Sequence, residues 1–242
     1  MSYVDSHDKI LRHSPLATAA VSWQPWLYQE TPLPLCQPVP APFGWRGGVK
    51  RGIDITIALL AILLHLPLLL AAALAVKLDS PGPVLFLQRR IGLHGRPFKL
   101  LKFRTMWHIP PAQGPLCQTC PHDPRVTRIG ALLRRTSIDE LPQLWNVLRG
   151  DMSLVGPRPH APGTCAGNIP FEQVSELYTL RHRVRPGMTG LAQVRGWRGQ
   201  TDTEEKLLHR LDCDLEYIAT WSLRMDCLIL LRTLATLWRN AY

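Results

Sequence analysis

The sequence predicts a mostly helical α+β fold held at a membrane, and three observations carry that reading. The first is an apolar run from Ile53 to Val76 in which Asp54 is the only formally charged residue, a run of membrane-scale length. The second is a pair of short strand-like runs, Val84–Gln88 and Phe98–Phe103, flanking Gly92 and Gly95 as a β-hairpin would. The third is a series of helical patterns at 127–135, 139–149, 171–182, 203–220 and 221–239, punctuated by turns at Gly150, Gly156 and Gly187.

Three regions follow from the composition. Residues 1–47 are proline-rich (Pro15, Pro25, Pro32, Pro34, Pro38, Pro40, Pro42) without a sustained period, and predict a flexible, extended tail. Residues 48–78 hold the apolar segment, and residues 79–242 the remaining domain. A helix over Ile53–Val76 would be about 36 Å long, enough to cross a bilayer. Pro67 near its middle removes a backbone hydrogen bond and bends a helix. Both flanks are basic, with Lys50 and Arg51 before it and Lys77, Arg89 and Arg90 after it. That symmetry favours keeping both ends on the cytoplasmic side. A re-entrant helix–break–helix hairpin with Pro67 at the break satisfies both observations better than a single crossing, which the length also permits. His65 then reads as a wet or capped residue at the bend.

The last pattern, residues 221–239, is amphipathic: Arg224, Arg232, Thr236 and Arg239 share an arc, most leucines lie outside it, and Asp226 is the exception. With Trp221 and Trp238 at its ends, the helix suits either the headgroup layer or the core.

Formal net charge is +10, and residues 1–45 hold two basic and three acidic residues, so the positive charge lies in the remainder. Such a surface suits anionic lipid or phosphates. No zinc-finger spacing, helix-turn-helix or ribonucleoprotein motif accompanies it, which argues against a nucleic-acid partner. Six cysteines in no framework spacing, without a cleavable signal peptide, predict a reducing, cytosolic setting. Cys117-x-x-Cys120 near His108 and His122 has half the ligands of a zinc site, and a loop with two free thiols explains it as well.

Chemistry concentrates in Arg134-Arg135-Thr136-Ser137-Ile138-Asp139-Glu140-Leu141-Pro142. One explanation is structural: Ser137 and Glu140 have capping-box spacing, and acids suit a first helical turn. Pro142 sits poorly in that helix unless its start is irregular. The other explanation is catalytic. A carboxylate can attack a phosphoryl centre and split one displacement into two. Paired anions need cations nearby, and magnesium takes one or two carboxylates plus phosphate oxygens. Arginines clamp phosphates, and Arg104, Arg125, Arg128, Arg134 and Arg135 are candidates. Gly156-Pro157-Arg158-Pro159 holds a further arginine between two prolines that restrict its backbone.

From Lys50 to about Thr233 the chain resembles the bacterial sugar transferases, the monotopic phosphoglycosyl transferases. The residues that carry the likeness are Lys50–Asp54, Lys77–Pro83, Gln88–Gly92, Lys102–Met106, Asp123–Thr127, Ser137–Leu144, Arg149–Pro159, Arg185–Leu191, Tyr217-Ile218 and Trp221–Leu223. The resemblance implies a two-step reaction at the cytoplasmic face of the bacterial inner membrane. Asp139 would attack the β-phosphate of a UDP-sugar and release UMP. Undecaprenyl phosphate would then take the sugar phosphate, the first membrane step of exopolysaccharide or other surface-glycan assembly. By the same resemblance Glu140 coordinates Mg2+, Arg134 contacts phosphate, and Pro157, Arg158 and Pro159 form part of the nucleotide pocket. The re-entrant membrane helix is also a family feature, and a homo-oligomer is compatible with the sequence.

The family's helix break usually reads Ser-Pro, where this chain has His65-Leu66-Pro67, and the 107–123 loop is outside the family pattern. Larger relatives carry a multi-helix membrane domain ahead of the catalytic part. This chain has the proline-rich tail there and resembles the compact exopolysaccharide-type members. His160 after Pro-Arg-Pro resembles the hexose-phosphate branch. Two other readings use the same bulk features: a non-catalytic membrane-anchored basic scaffold, and a conventional glycosyltransferase that releases UDP.

Overall fold

A computed structural model describes residues 45–107, 123–167 and 169–239, with side chains described to residue 235. The tail up to residue 44, the Cys117/Cys120 pair with His108 and His122, and Trp238 at the end of the last helix lie outside the described backbone or side chains. The longest element is α1, Trp45–Asp79, 35 residues or about 52 Å. It is the one helix among the described residues long and apolar enough to cross a membrane.

The helical run continues through Pro67. Pro67 lies inside a single helix, although its ring leaves the Leu63 carbonyl without the usual partner. Tertiary packing on both sides of the proline explains why the helix continues. Lys50, Asp54, Ala58, Ala72 and Val76 are its buried residues. The first half packs through Ala58, Ala61 and Ile62 into a core containing Leu144, Val147 and Met152. The second half packs through Leu69, Ala72, Ala73 and Val76 against Phe103, Ile129 and Leu133. The opposite side is bare, with Leu64 77% and Leu70 64% exposed. His65 is capped, its Nδ1 donating to the Ala61 carbonyl at 2.9 Å.

Two polar clasps fix the start of α1. Asp54 accepts from Ser153 Oγ at 2.8 Å and from the Leu154 amide at 3.1 Å. Lys50 Nζ meets Asp226 at 2.6 Å and the Val155 carbonyl at 3.2 Å. The basic and acidic residues that lead into the apolar run are therefore interior contacts as well as flanking charges.

The anticipated hairpin is present as β1, Leu85–Ile91, and β2, Pro97–Phe103, antiparallel with Leu87 opposite Leu101. Helix α2, Arg128–Arg135, starts on Thr127, whose side chain accepts from the Gly130 amide, a standard N-cap. A 3-10 turn, Ile138–Glu140, precedes α3, Gln143–Arg149. The expected helix over 139–149 is thus split, because Pro142 has no N–H to continue one. Strand β3, Ser153–Val155, is followed by two small antiparallel strands, β4 (Cys165–Ala166) and β5 (Ile169–Pro170). The chain then enters two 3-10 stretches, Phe171–Gln173 and Glu176–Arg183, where the pattern predicted one helix over 171–182. Ser175 separates them with extended dihedrals and a side chain that accepts from the Leu177 amide, a local bond that competes with helix.

Strand β6, Gly187–Thr189, pairs in parallel with β3. After the short α4, Leu191–Val194, come α5, Glu204–Thr220, and α6, Leu223–Arg239. On α6 the Asp226 that broke the amphipathic pattern is 7% exposed. It accepts from Lys50, Tyr217 Oη at 2.8 Å and Trp221 Nε1 at 3.1 Å. One face of α6 therefore packs in the core with Ile229, while Leu231 and Leu234 stay about 60% exposed. Neither the headgroup nor the core reading of this helix was complete.

Candidate active site

The Asp139-Glu140 pair sits on the 3-10 turn between α2 and α3. Ser137 ahead of it adopts left-handed dihedrals, φ 57 and ψ 14, with no side-chain cap bond. The capping-box reading is therefore overturned. A non-glycine residue in that region carries backbone strain of the kind found at functional turns. Here it aims the two carboxylates at β2 and the segment after β3.

The two acids meet different surroundings. Glu140 accepts from Lys102 Nζ at 2.7 Å on Oε1, from Arg158 Nη2 on the same oxygen, and from Arg158 Nη1 at 3.2 Å on Oε2. Burial alone would raise its pKa, but Arg158 first and Lys102 second more than offset this and hold it well below the carboxylate range. Asp139 is 7% exposed and, among the described residues, makes no hydrogen bond through its side chain and has Lys102 at 3.9 Å as its nearest cation. Burial raises its pKa, with the neighbouring Glu140 adding to the rise and Lys102 and Arg134 opposing it. Two adjacent carboxylates are thus driven apart, one a clamped anion and the other with lone pairs free to attack.

Arg134 lies near enough to act on Asp139 electrostatically, and its Nε donates to Thr105 Oγ1 at 2.7 Å. Arg158 reaches Glu140 from a segment whose backbone is closely held. The Pro157 carbonyl accepts from the Gly187 amide at 2.9 Å and the Pro159 carbonyl from Arg90 Nη1 at 3.1 Å. No side chain fits where Gly156 and Gly187 cross, since a Cβ on Gly187 would lie 2.1 Å from the Gly156 nitrogen. A shallow pocket borders this segment, lined by Pro157, Arg158, Pro159, His160, Arg181 and His182 among others.

Two predicted site residues are not brought to the pair. Arg104 is 5% exposed and its guanidinium donates to the carbonyls of Pro81 (2.7 Å), Ser80 (2.6 Å) and Val76 (3.3 Å). It therefore ties down the carboxyl end of α1. Arg125 pairs with Asp123 at 2.7 Å. Arg104→Lys is expected to lower the melting temperature by several degrees, because one ammonium cannot serve three carbonyls spread over a turn. Donor KM should stay within about twofold of wild type; a tenfold rise in steady-state KM at unchanged stability would return Arg104 to the substrate site.

A family model for bacterial sugar transferases matches residues 45–240, which takes in every element above. The chain belongs to the bacterial sugar transferase family. It is similar to a UDP-glucose:undecaprenyl-phosphate glucose-1-phosphate transferase of Caulobacter vibrioides, 54% identical over 195 residues that make up 80% of this chain and 72% of that protein. A protein of the same description from Escherichia coli K12 is 52% identical over 185 residues, 76% of this chain but only 39% of the relative's length. An exopolysaccharide production protein of Rhizobium leguminosarum bv. phaseoli is 50% identical over 188 residues, 78% of this chain and 94% of its own length.

In this sugar transferase chain, no group of three or more His, Cys, Asp or Glu among the described residues is placed to hold a metal. Magnesium asks for less, one or two carboxylates completed by phosphate oxygens and water. Glu140 fits that demand. It stays ionised, its Oε1 already carries both cations, and Oε2, with a single 3.2 Å contact, has lone-pair capacity left.

Lys102 is the site residue that sequence reasoning missed. Its signal lay in the Lys102–Met106 motif, where Arg104 drew attention as the stronger phosphate ligand. The buried Tyr178, Arg181 and Asp214 were also missed, since nothing in their spacing links them to residue 158.

Proposed function

We propose that this protein transfers a sugar 1-phosphate from a UDP-sugar to undecaprenyl phosphate, releasing UMP, through a covalent intermediate on Asp139. The observation that carries the reading is the contrast within the pair: a buried Asp139 without hydrogen bonds beside a Glu140 clamped by Lys102 and Arg158. An Asp139 oxygen attacks the β-phosphorus, forming an acyl phosphate as the bond from that phosphorus to the bridging oxygen breaks. UMP departs with the bridging oxygen. A phosphate oxygen of the polyprenyl carrier then attacks the same phosphorus and the bond to Asp139 breaks, which restores the carboxylate.

Lys102 and Arg158 supply positive charge where two phosphates meet in each step. Arg134, anchored on Thr105, faces the attacking carboxylate and holds the transferring group from the α2 side. A magnesium ion held by Glu140 would neutralise charge on the phosphates. UDP-glucose is the first donor to test, given the descriptions of the E. coli and Caulobacter relatives.

The membrane arrangement belongs to the same proposal. Both halves of α1 pack against one domain, through Ala58 and Ile62 on one side of Pro67 and Ala72 and Val76 on the other. A helix attached at both ends to a polar domain cannot place those ends on opposite sides of a bilayer. This supports a re-entrant seating on the cytoplasmic face of the inner membrane, where a soluble donor and a lipid acceptor meet.

Product identity tests the reading. Purified protein given magnesium, undecaprenyl phosphate and UDP-glucose or other UDP-hexoses should release UMP, and intact mass after donor alone should show one added hexose phosphate. UDP as product would make the protein a conventional glycosyltransferase, and no nucleotide release with any donor would leave a membrane scaffold.

A further inference from the structure

Four consecutive carbonyls, those of residues 157–160, are each taken by a separate donor. Gly187 N and Ile91 N bond the first and last at 2.9 and 3.1 Å, and Arg90 Nη1 bonds Pro159 at 3.1 Å. The fourth donor is Arg181, whose Nη2 bonds the Arg158 carbonyl at 2.8 Å. It differs from the others in being a charged side chain only 7% exposed, balanced by Asp214 of α5 at 2.7 Å.

Arg181 also grips the segment a second time. Its Nη1 donates to Tyr178 Oη at 2.6 Å. A guanidinium only donates, so Tyr178 accepts there and turns its own proton to His160 Nδ1, 3.0 Å away. His160 must then carry its proton on Nε2, which donates to Glu172 Oε1 at 3.0 Å. The bonds run in one direction, Arg181 to Tyr178 to His160 to Glu172. Burial first and the Arg181 charge second push the His160 pKa down to about 4, against Glu172, so the ring stays neutral.

We propose that Arg181, oriented by Asp214, is a positioning residue for Arg158: it fixes the peptide from which that guanidinium reaches Glu140, and so sets the affinity for the nucleotide-sugar donor. Pro159 fixes φ on the far side of the same peptide, so the Arg158 carbonyl is the remaining handle by which the peptide plane can be turned. The inference rests on the function proposed above.

The test compares Arg181→Lys and Asp214→Asn with Asp226→Asn, which weakens the other buried ion pair, Lys50–Asp226, away from Arg158. Arg181→Lys and Asp214→Asn should raise donor KM about tenfold with kcat within about threefold. Tyr178→Phe, which cuts only the relay and leaves the Arg181–Asp214 pair, should raise KM by about threefold, and serves if the ion-pair variants do not fold. Asp226→Asn should lower the melting temperature and leave KM unchanged. The proposal is overturned if Arg181→Lys and Asp214→Asn, or Tyr178→Phe where those do not fold, keep the wild-type KM and lose only stability. If wild type turns over no UDP-sugar, the functional reading fails, and positioning is read instead from the Arg158 Nε–H signal in 15N NMR, assigned by its loss in Arg158→Lys. That signal should move or broaden in Arg181→Lys and Tyr178→Phe but not in Asp226→Asn, and an unmoved signal overturns the proposal.

Discussion

Asp139→Asn is expected to abolish UMP release and, in metal-free buffer, to raise the melting temperature. Loss of activity follows from the proposed chemistry, since an amide oxygen cannot form the acyl phosphate; a fall of at least about a thousandfold is the scale for losing a nucleophile. The gain in stability follows from burial. Asp139 is 7% exposed and has no hydrogen bond to repay the loss of water. Its folded pKa therefore lies above the unfolded value of about 3.9. A raised pKa means that the stability supplied by the protonated form is complete below the unfolded pKa and is lost as pH rises through the folded one. Asparagine is neutral throughout, so its advantage over wild type should be larger at pH 8 than at pH 3, below the unfolded pKa. Thermal melts at the two pH values, with a UMP assay alongside, measure both effects. A variant that keeps activity, or one that is inactive and less stable at pH 8, would contradict the proposal that Asp139 is a nucleophile held at a cost to the fold.

The legible parts of this fold were those set by local sequence. The β-hairpin and helices α2 and α5 need only neighbours in the chain, and each lies within a residue or three of its expected place. What the local pattern could not show depended on partners far away. Pro67 marks a weak point in α1, and the two separate cores that hold the helix on both sides of it are built from residues distant in the chain. Asp226 reads as an exception on an amphipathic helix until Lys50, distant by 176 residues, is found against it.

The same division runs through the site. Asp139, Glu140 and Arg158 stand in short motifs, and the fold brings them together. Arg104 sits in a motif as short as theirs, yet its three carbonyl partners lie at the end of α1, which no spacing rule reveals. Ser137 carried a capping-box signature that its left-handed backbone cancels. Local rules predicted local structure here, and the residue ahead of the acidic pair is where they broke.

Glu140→Gln should produce the opposite pattern to Asp139→Asn, losing activity and stability together. Its carboxylate neutralises Lys102 and Arg158, and the amide would leave two cations facing one another at a half-exposed position. The cost should be about 1–2 kcal/mol at neutral pH, reduced from the buried-pair range because Arg158 is 42% exposed. The sign with pH is also opposite. Glu140 is held below its ordinary pKa, so its contribution is present above the unfolded pKa of about 4.3 and is lost as pH falls. The gap between variant and wild type should therefore narrow on acidification. Asp139 responds as well. Removing Glu140 takes away a repelling charge and releases Lys102 towards it, and both changes lower its pKa. UMP release should nevertheless drop by about a hundredfold or more, because the carboxylate that fixes Arg158 and suits magnesium is gone. Steady-state rates at neutral pH, and melts from pH 7 down to pH 3, decide the matter. A Glu140→Gln protein as stable as wild type would mean that the clamp exists to hold charge for substrate and contributes nothing to the fold, whereas one with full activity would remove Glu140 from the mechanism.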